Sequence, residues 1–186
     1  MQGPTSIRLA ATIVGCLLSW AAPGAGADQS NHSSARSFAR TIYLVRHAEK
    51  VSEDTDSPLS DAGRERAKCL ANTLADARIE QIFTSDLQRT QQTAAPLAEK
   101  LHLKPVAIPI SKPDDLVAAI RSSKAHSVLV VWHDATLPGI LRALGAPEIT
   151  PIGHTEYDRF FVLTLAADGN KVDMGFAALR YCDCAK

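Results

Sequence analysis

The chain has 186 residues, enough for a single domain that buries its own core. The 20 basic residues balance the 20 acidic ones, which excludes a bulk field of either sign and the binding of nucleic acid or anionic lipid by net charge. Any affinity for phosphate must be built locally.

Residues 1–27 differ in kind from the rest. Arg8 supplies their only side-chain charge, Leu9 to Trp20 are largely apolar, and Pro23 to Ala27 are small and turn-prone. This is the pattern of a secretory signal peptide, with Ala25 and Ala27 placing the mature start at Asp28. Two rivals compete. A retained anchor would need roughly 20 apolar residues, and this run is shorter and broken by Gly15 and Pro23. Lipidation at Cys16 would read Ile13-Val14-Gly15-Cys16 as a cleavage box, but the long apolar stretch follows Cys16 rather than preceding it. Residues 28–40 form a polar leader and 41–186 the domain, expected to be periplasmic or secreted with no stable membrane insertion once the signal is removed. Export would place Cys69, Cys182 and Cys184 in an oxidising compartment. One bridge and one free thiol are expected, Cys69 pairing with one of the C-terminal two. Cys182-Asp183-Cys184 as a metal fragment lacks a second ligand pair, so neither metal nor cofactor is expected.

Thr41 to Val45 are mostly β-branched or aromatic and suit a strand covered on both faces. The strand empties into Arg46-His47-Ala48-Glu49-Lys50 at its carboxyl end, the edge where open α/β sheets bind ligands. Ser60 can cap a helix carrying Ala67, Leu70 and Leu74 at helical spacing. Ile79 to Thr84 reads as a second strand. Ser85 or Asp86 then caps a helix running through Arg89 and Thr93 to about Leu101, whose amino end offers backbone N–H groups to anions. Residues 104–110 suggest a short strand, and Asp114 or Asp115 opens a helix to about Ser122. Ser127 to Trp132 is a strongly apolar strand ending in His133-Asp134, followed by a helix from Thr136 to Leu144. Arg159 to Leu165 and Lys171 to Ala178 pair through the hairpin signal Asp168-Gly169-Asn170 and predict an antiparallel edge. The alternation predicts a three-layer α/β/α sandwich with a largely parallel central sheet.

Arg46-His47, Arg89 and His133-Asp134 each lie just past an apolar strand. Two arginines with two histidines can hold a phosphoryl group while one imidazole nitrogen attacks phosphorus, because guanidinium forks match phosphate oxygens and offset developing charge. That scheme requires no metal.

Leu44-Val45-Arg46-His47-Ala48-Glu49-Lys50, Pro58-Leu59-Ser60-Asp61-Ala62-Gly63 and Thr84-Ser85-Asp86-Leu87-Gln88-Arg89-Thr90-Gln91-Gln92-Thr93, in that order, resemble the histidine phosphatase superfamily, also called phosphoglycerate mutase-like. The resemblance covers about 41 to 165. It implies that His47 becomes phosphorylated, that Arg46 and Arg89 hold the phosphate and that His133 contacts it. Ala48 stands where a glycine is common. Where small members resemble Gly-His-Ser, this chain has Trp132-His133-Asp134, which resembles the acid phosphatase branch and implies that Asp134 protonates the leaving oxygen. Lys50 falls where that branch has a further phosphate-binding arginine.

Each role has a plain competitor. Arg89 competes with a pair to Asp86, Asp134 with a helix cap for Thr136 onward, and Glu49 and Lys50 with an exposed ion pair. His154 lines the pocket rim, Trp132 is core or pocket wall, and His32, His102 and His126 carry no chemistry. The expected function is an exported phosphatase hydrolysing phosphomonoesters of a small molecule or envelope glycan through phosphohistidine on His47. Its alternatives are a silent envelope protein that binds a phosphorylated ligand, and a phosphatase specific for phosphohistidine or lipopolysaccharide-core phosphate.

Overall fold

The computed structural model describes residues 40–165 and 175–182, within the compact unit Ser34–Lys186. The predicted signal segment, the leader as far as residue 39, the Asp168-Gly169-Asn170 turn and Cys184 lie outside the described residues. The elements in order are β1 (Arg40–Arg46), α1 (Asp61–Thr73), β2 (Gln81–Ser85), α2 (Gln88–Leu101), β3 (Val106–Ile108), α3 (Pro113–Ser122), β4 (Ser127–Trp132), α4 (Leu137–Ala143), β5 (Arg159–Leu165) and β6 (Gly175–Arg180).

The strands form one sheet in the order β3-β2-β4-β1-β5-β6. Pairs β3–β2, β2–β4 and β4–β1 are parallel, while β1–β5 and β5–β6 are antiparallel. The largely parallel sheet and its antiparallel edge therefore match the expectation, although β6 reaches Arg180 rather than stopping at Ala178.

The apolar runs explain the layers. In β4, Val128, Val130 and Trp132 pack on one face with Leu116 and Ile120 of α3 and Ile140 and Leu141 of α4. Leu129 and Val131 pack on the other with Leu70 of α1 and Leu97 of α2. Period-two alternation makes one continuous apolar strand serve both helix layers. Each fully buried side chain of this size contributes roughly 1.5–3 kcal/mol. Registered pairing of Val45 with Val131 and Arg46 with Trp132 then brings the polar ends of β1 and β4 to the same sheet edge.

Helix ends fix what surrounds that edge. Ser60 caps α1 as predicted, its side chain accepting the Gly63 N–H at 3.1 Å. α2 departs from expectation: neither Ser85 nor Asp86 caps it, and the Gln88 N–H donates instead to Asp56 Oδ1 at 2.7 Å from the preceding loop. Asp86 accepts the Ile110 N–H at 2.8 Å. Asp134 does not cap α4, whose N-cap Thr136 makes no side-chain capping bond. Both acids were assigned from local spacing, whereas their partners come from distant segments.

A Cys69–Cys182 disulfide joins α1 to the segment after β6 across 113 residues. Beside it Arg66 grips Glu49, donating from Nε at 2.9 Å and Nη2 at 2.7 Å to Oε1, and donates from Nη1 to the Cys182 carbonyl at 3.1 Å. Glu49 thus pairs with Arg66 and Lys50 with Glu53 at 2.8 Å, so the two neighbours do not pair with each other.

Gly63 sets how closely α1 approaches the segment after β1. A Cβ there would lie 2.1 Å from the Glu49 carbonyl oxygen, a backbone atom that also accepts the Ser60 N–H at 2.9 Å. Gly63→Ala should lower stability by about 1–3 kcal/mol through overpacking. The same change in an open helix interior would raise stability by up to about 1 kcal/mol. The sign of the shift in urea midpoint decides, and a raised midpoint would show that the approach imposes no constraint.

Candidate functional site

The end of β1 delivers His47 to the carboxyl edge of the sheet with its backbone already fixed. The His47 N–H donates to the Trp132 carbonyl at 2.9 Å, and the Ala48 N–H donates to Thr93 Oγ1 at 2.9 Å. The Thr93 hydroxyl in turn donates to the Arg89 carbonyl at 2.7 Å, so the loop after β1 is tied to the first turns of α2. Ala48 is fully buried beside Leu59 and Ala67. It needs no left-handed backbone, which is why alanine is accommodated here.

The His47 ring is 2% exposed, and its Nδ1 lies 2.8 Å from the Ala48 carbonyl oxygen. A carbonyl only accepts, so Nδ1 carries the proton and the Nε2 lone pair is left for chemistry. Burial pushes the imidazole pKa down to about 4, against the opposing Ala48 hydrogen bond and with Arg46 and Arg89 adding to the depression. His47 is therefore neutral at ordinary pH.

Three predicted partners surround it. The His133 ring centroid is 5.3 Å from that of His47. His133 Nε2 lies 2.8 Å from Ser85 Oγ, and Arg89 Nη2 lies 3.4 Å from His133 Nδ1. Burial, His47 and the two arginines hold the His133 pKa down to about 3. Arg89 also donates from Nη1 to the Thr55 carbonyl at 2.6 Å, so its predicted competitor Asp86 plays no part. Arg46 is 3% exposed. Its Nη1 donates to the carbonyls of Gly153 at 2.9 Å, His154 at 2.8 Å and Glu156 at 3.2 Å, and its Nη2 pairs with Asp134 Oδ2 at 3.2 Å. The Tyr157 ring lies under its guanidinium, 4.1 Å from Cζ to centroid. The Nε atoms of Arg46 and Arg89 are both buried without a hydrogen-bond partner, a costly state for charged donors unless an acceptor meets them.

Asp134 and Lys50 complete the predicted set in different ways. Asp134 is 14% exposed and its Oδ2 lies 3.1 Å from His154 Nδ1 as well as on Arg46. Its charge also acts on His47 and Arg89. Lys50 turns to Glu53 on the loop over the site. That contact is the main reason the Glu53 carboxyl sits below its ordinary range. The structure thus gathers Arg46, His47, Arg89, His133 and Asp134, with Lys50 one carboxylate removed. Ser85 and Thr93 carry only helix roles in the sequence reading, and Tyr157 carries none. Ser85 and Thr93 lie inside the motif around Arg89, but nothing local marks Tyr157. Among the described residues no group of His, Cys, Asp and Glu is arranged to hold a metal ion.

This fold and this edge define the class. The profile of the histidine phosphatase superfamily (branch 1) matches residues 42–116, the segment that holds Arg46, His47 and Arg89. A probable phosphoglycerate mutase, GpmB, of Yersinia enterocolitica is 39% identical over 75 residues, 37% of this chain and 35% of that protein. The match thus spans about a third of the curated relatives' length. Among solved structures, a mycobacterial glucosyl-3-phosphoglycerate phosphatase superposes with a TM-score of 0.61 at 17% identity, covering 76% of this chain and 99% of that one. The protein histidine phosphatase SixA, complexed with tungstate, gives 0.58 at 24% identity, with 77% and 99% covered. The α-ribazole phosphatase of Shigella flexneri gives 0.61 at 16% identity, with 75% and 96% covered.

The depressed imidazoles make stability depend on pH in a defined direction. Between about 4 and 6.5 for His47, and between about 3 and 6.5 for His133, the unfolded chain binds a proton that the fold refuses. Stability is therefore full above about 6.5 and falls as pH drops through those windows. The thermal midpoint followed from pH 7 to 4 should show a shallower decline in His47→Gln and in His133→Gln than in the wild type. An unchanged slope in both would mean that the imidazoles are not held neutral.

Proposed function

We propose that this chain is a phosphatase that hydrolyses phosphomonoesters through a phosphohistidine on His47. The observation that carries the reading is the His47 imidazole, neutral and pinned at Nδ1, with two neighbouring guanidinium groups that each keep an unpaired buried Nε–H. A lone pair for phosphorus and fixed donors for phosphate oxygens are what an in-line transfer needs, and positioning with charge stabilisation supplies most of such catalysis.

In this reading Arg46, Arg89 and His133 hold the phosphoryl oxygens. His47 Nε2 forms the bond to phosphorus as the bond to the leaving oxygen breaks, and the leaving oxygen takes its proton on the Asp134 side. Water then cleaves the N–P bond and inorganic phosphate departs. Ser85 orients His133: Arg89 Nη2 can only donate to Nδ1, so the ring proton sits on Nε2 and is donated to Ser85 Oγ at 2.8 Å. Lys50 joins phosphate binding only by leaving Glu53, so its contribution is smaller than that of either arginine.

Hydrolysis is preferred to mutase action because the acid phosphatase-like His133-Asp134 pair stands at this edge. The solved relatives named as phosphatases support the same choice. The substrate is a phosphorylated small molecule or envelope glycan, approached from an open face. Periplasmic or secreted location is part of the proposal. It rests on the signal pattern in residues 1–27 and is supported by the Cys69–Cys182 bridge, a bond characteristic of oxidising compartments. No described helix is long and apolar enough to cross a membrane.

The test uses 4-nitrophenyl phosphate and a quench in alkaline detergent. Wild type should form an acid-labile, alkali-stable phosphoenzyme that His47→Ala cannot form, with turnover in that variant reduced at least about 1,000-fold, or roughly 4 kcal/mol in barrier. Arg46→Ala and Arg89→Ala should each weaken both phosphoenzyme formation and phosphate inhibition. Phosphate binding by wild type without any phosphoenzyme or turnover would favour the silent binding protein instead.

A further inference from the structure

We propose that His154 is the proton donor to the leaving alcohol and that Asp134 is the carboxylate that positions it, the cleft beyond them receiving the leaving group. This rests on the phosphatase reading and assigns the acid within it.

Asp134 is poorly placed to donate. Its Oδ2 serves as acceptor for two donors at once, Arg46 Nη2 at 3.2 Å and His154 Nδ1 at 3.1 Å. A carboxylate held by a buried guanidinium orients a neighbouring imidazole better than it gives up a proton. His154 has the complementary geometry. With Nδ1 committed to Asp134, its other nitrogen, Nε2, is the one turned away from the carboxylate and available to a substrate atom. The side chain is 97% exposed, so substrate and water can reach it.

The backbone of His154 is anything but loose. Its carbonyl accepts from Arg46 Nη1 at 2.8 Å, and those of Gly153 and Glu156 accept from the same nitrogen. Gly153 N–H also donates to Glu156 Oε2 at 2.8 Å. An imidazole on the surface is thereby tied to the guanidinium that stands beside His47. The charges facing it are Asp134 after β4, Arg46 at the end of β1 and Glu53 on the loop after β1, whose carboxyl feels the His154 charge.

A cleft of about 440 Å³ is lined by Asp134, Pro138, Arg142, Ile149, Ile152 and His154, among others. Asp134 and His154 form the wall it shares with the phosphate cage. A monoester whose phosphoryl group sits on Arg46 and Arg89 would send its alcohol across that wall, past His154 Nε2. The lining suits a compact leaving group with an apolar edge and hydroxyl groups within reach of Arg142 and Glu148.

The step balances as follows. His47 Nε2 bonds to phosphorus, the P–O bond to the leaving group breaks, and the leaving oxygen takes the Nε2 proton of protonated His154, leaving it neutral. Water attacking the phosphohistidine then returns a proton to His154 Nε2, while the N–P electron pair returns to His47. The products are one alcohol and one phosphate.

The experiment compares 4-nitrophenyl phosphate, whose leaving group needs no proton, with glycerol 2-phosphate, whose alkoxide does. In His154→Gln, the rate of phosphoenzyme formation in a rapid alkaline quench should fall about 100-fold or more with glycerol 2-phosphate and less than about 3-fold with 4-nitrophenyl phosphate, and the alkaline limb of the glycerol 2-phosphate profile for that step should disappear. Asp134→Asn should show the same selectivity with a smaller loss. Phosphoenzyme formed from 4-nitrophenyl phosphate in each variant reports an intact cage. Equal losses on the two substrates, or an unchanged alkaline limb in His154→Gln, would overturn the assignment while leaving the phosphatase reading in place. Absence of phosphoenzyme in wild type would overturn both.

Discussion

The guanidinium of Arg46 is the interaction on which the rest of the site depends. A charged group 3% exposed is tolerated only when its donors are met. Three carbonyls from residues 153–156 meet its Nη1, the Asp134 carboxylate meets its Nη2 and the Tyr157 ring covers one of its faces. Satisfying that charge folds the segment before β5 against the end of β1 and draws Asp134 off the amino end of α4. The remaining Nε–H is the part of the group the protein itself leaves unpaired. One buried cation thus shapes the wall of the pocket and keeps a donor in reserve for an oxyanion.

Around it the site concentrates like charge. Arg46, Arg89, His47 and His133 stand close enough that each arginine disfavours protonation of both rings, and burial does so more strongly. Asp134 offsets part of this. Under the phosphatase proposal the arrangement answers two needs of one reaction: a dianionic phosphoryl group is attracted, and the His47 imidazole keeps its lone pair. A site with the same residues further exposed would attract phosphate but lose much of the depression that keeps His47 neutral.

Much of this was legible in the sequence because strand ends announce themselves. The apolar runs 41–45 and 127–132 are bounded by Arg46-His47 and His133-Asp134, and parallel pairing brings those ends together whatever the details between them. Ser60 as a cap was equally readable, since its partner Gly63 is three residues away. What could not be read was the identity of long-range partners. Asp56 rather than Ser85 or Asp86 meets the first N–H of α2, because the loop folds across 32 residues to reach it. Tyr157 and the 153–156 carbonyls lie over 100 positions from Arg46 in a segment without hydrophobic period. Backbone acceptors carry no residue code at all. Glu49 and Lys50 looked like partners because they adjoin, yet successive residues of an extended segment point opposite ways, and each found its ion elsewhere.

The strand order carries a temporal consequence. β1 is the first strand of the chain described here and stands at the interior of the sheet, hydrogen-bonded on one side to β4 and on the other to β5. A growing or threading chain therefore presents Arg46 and His47 long before the two strands that must flank them exist. Contacts of such sequence separation form late and slowly. The surroundings that the proposed nucleophile His47 depends on are complete only when residues beyond 150 have arrived to close around Arg46, so a half-made chain carries the motif without its site.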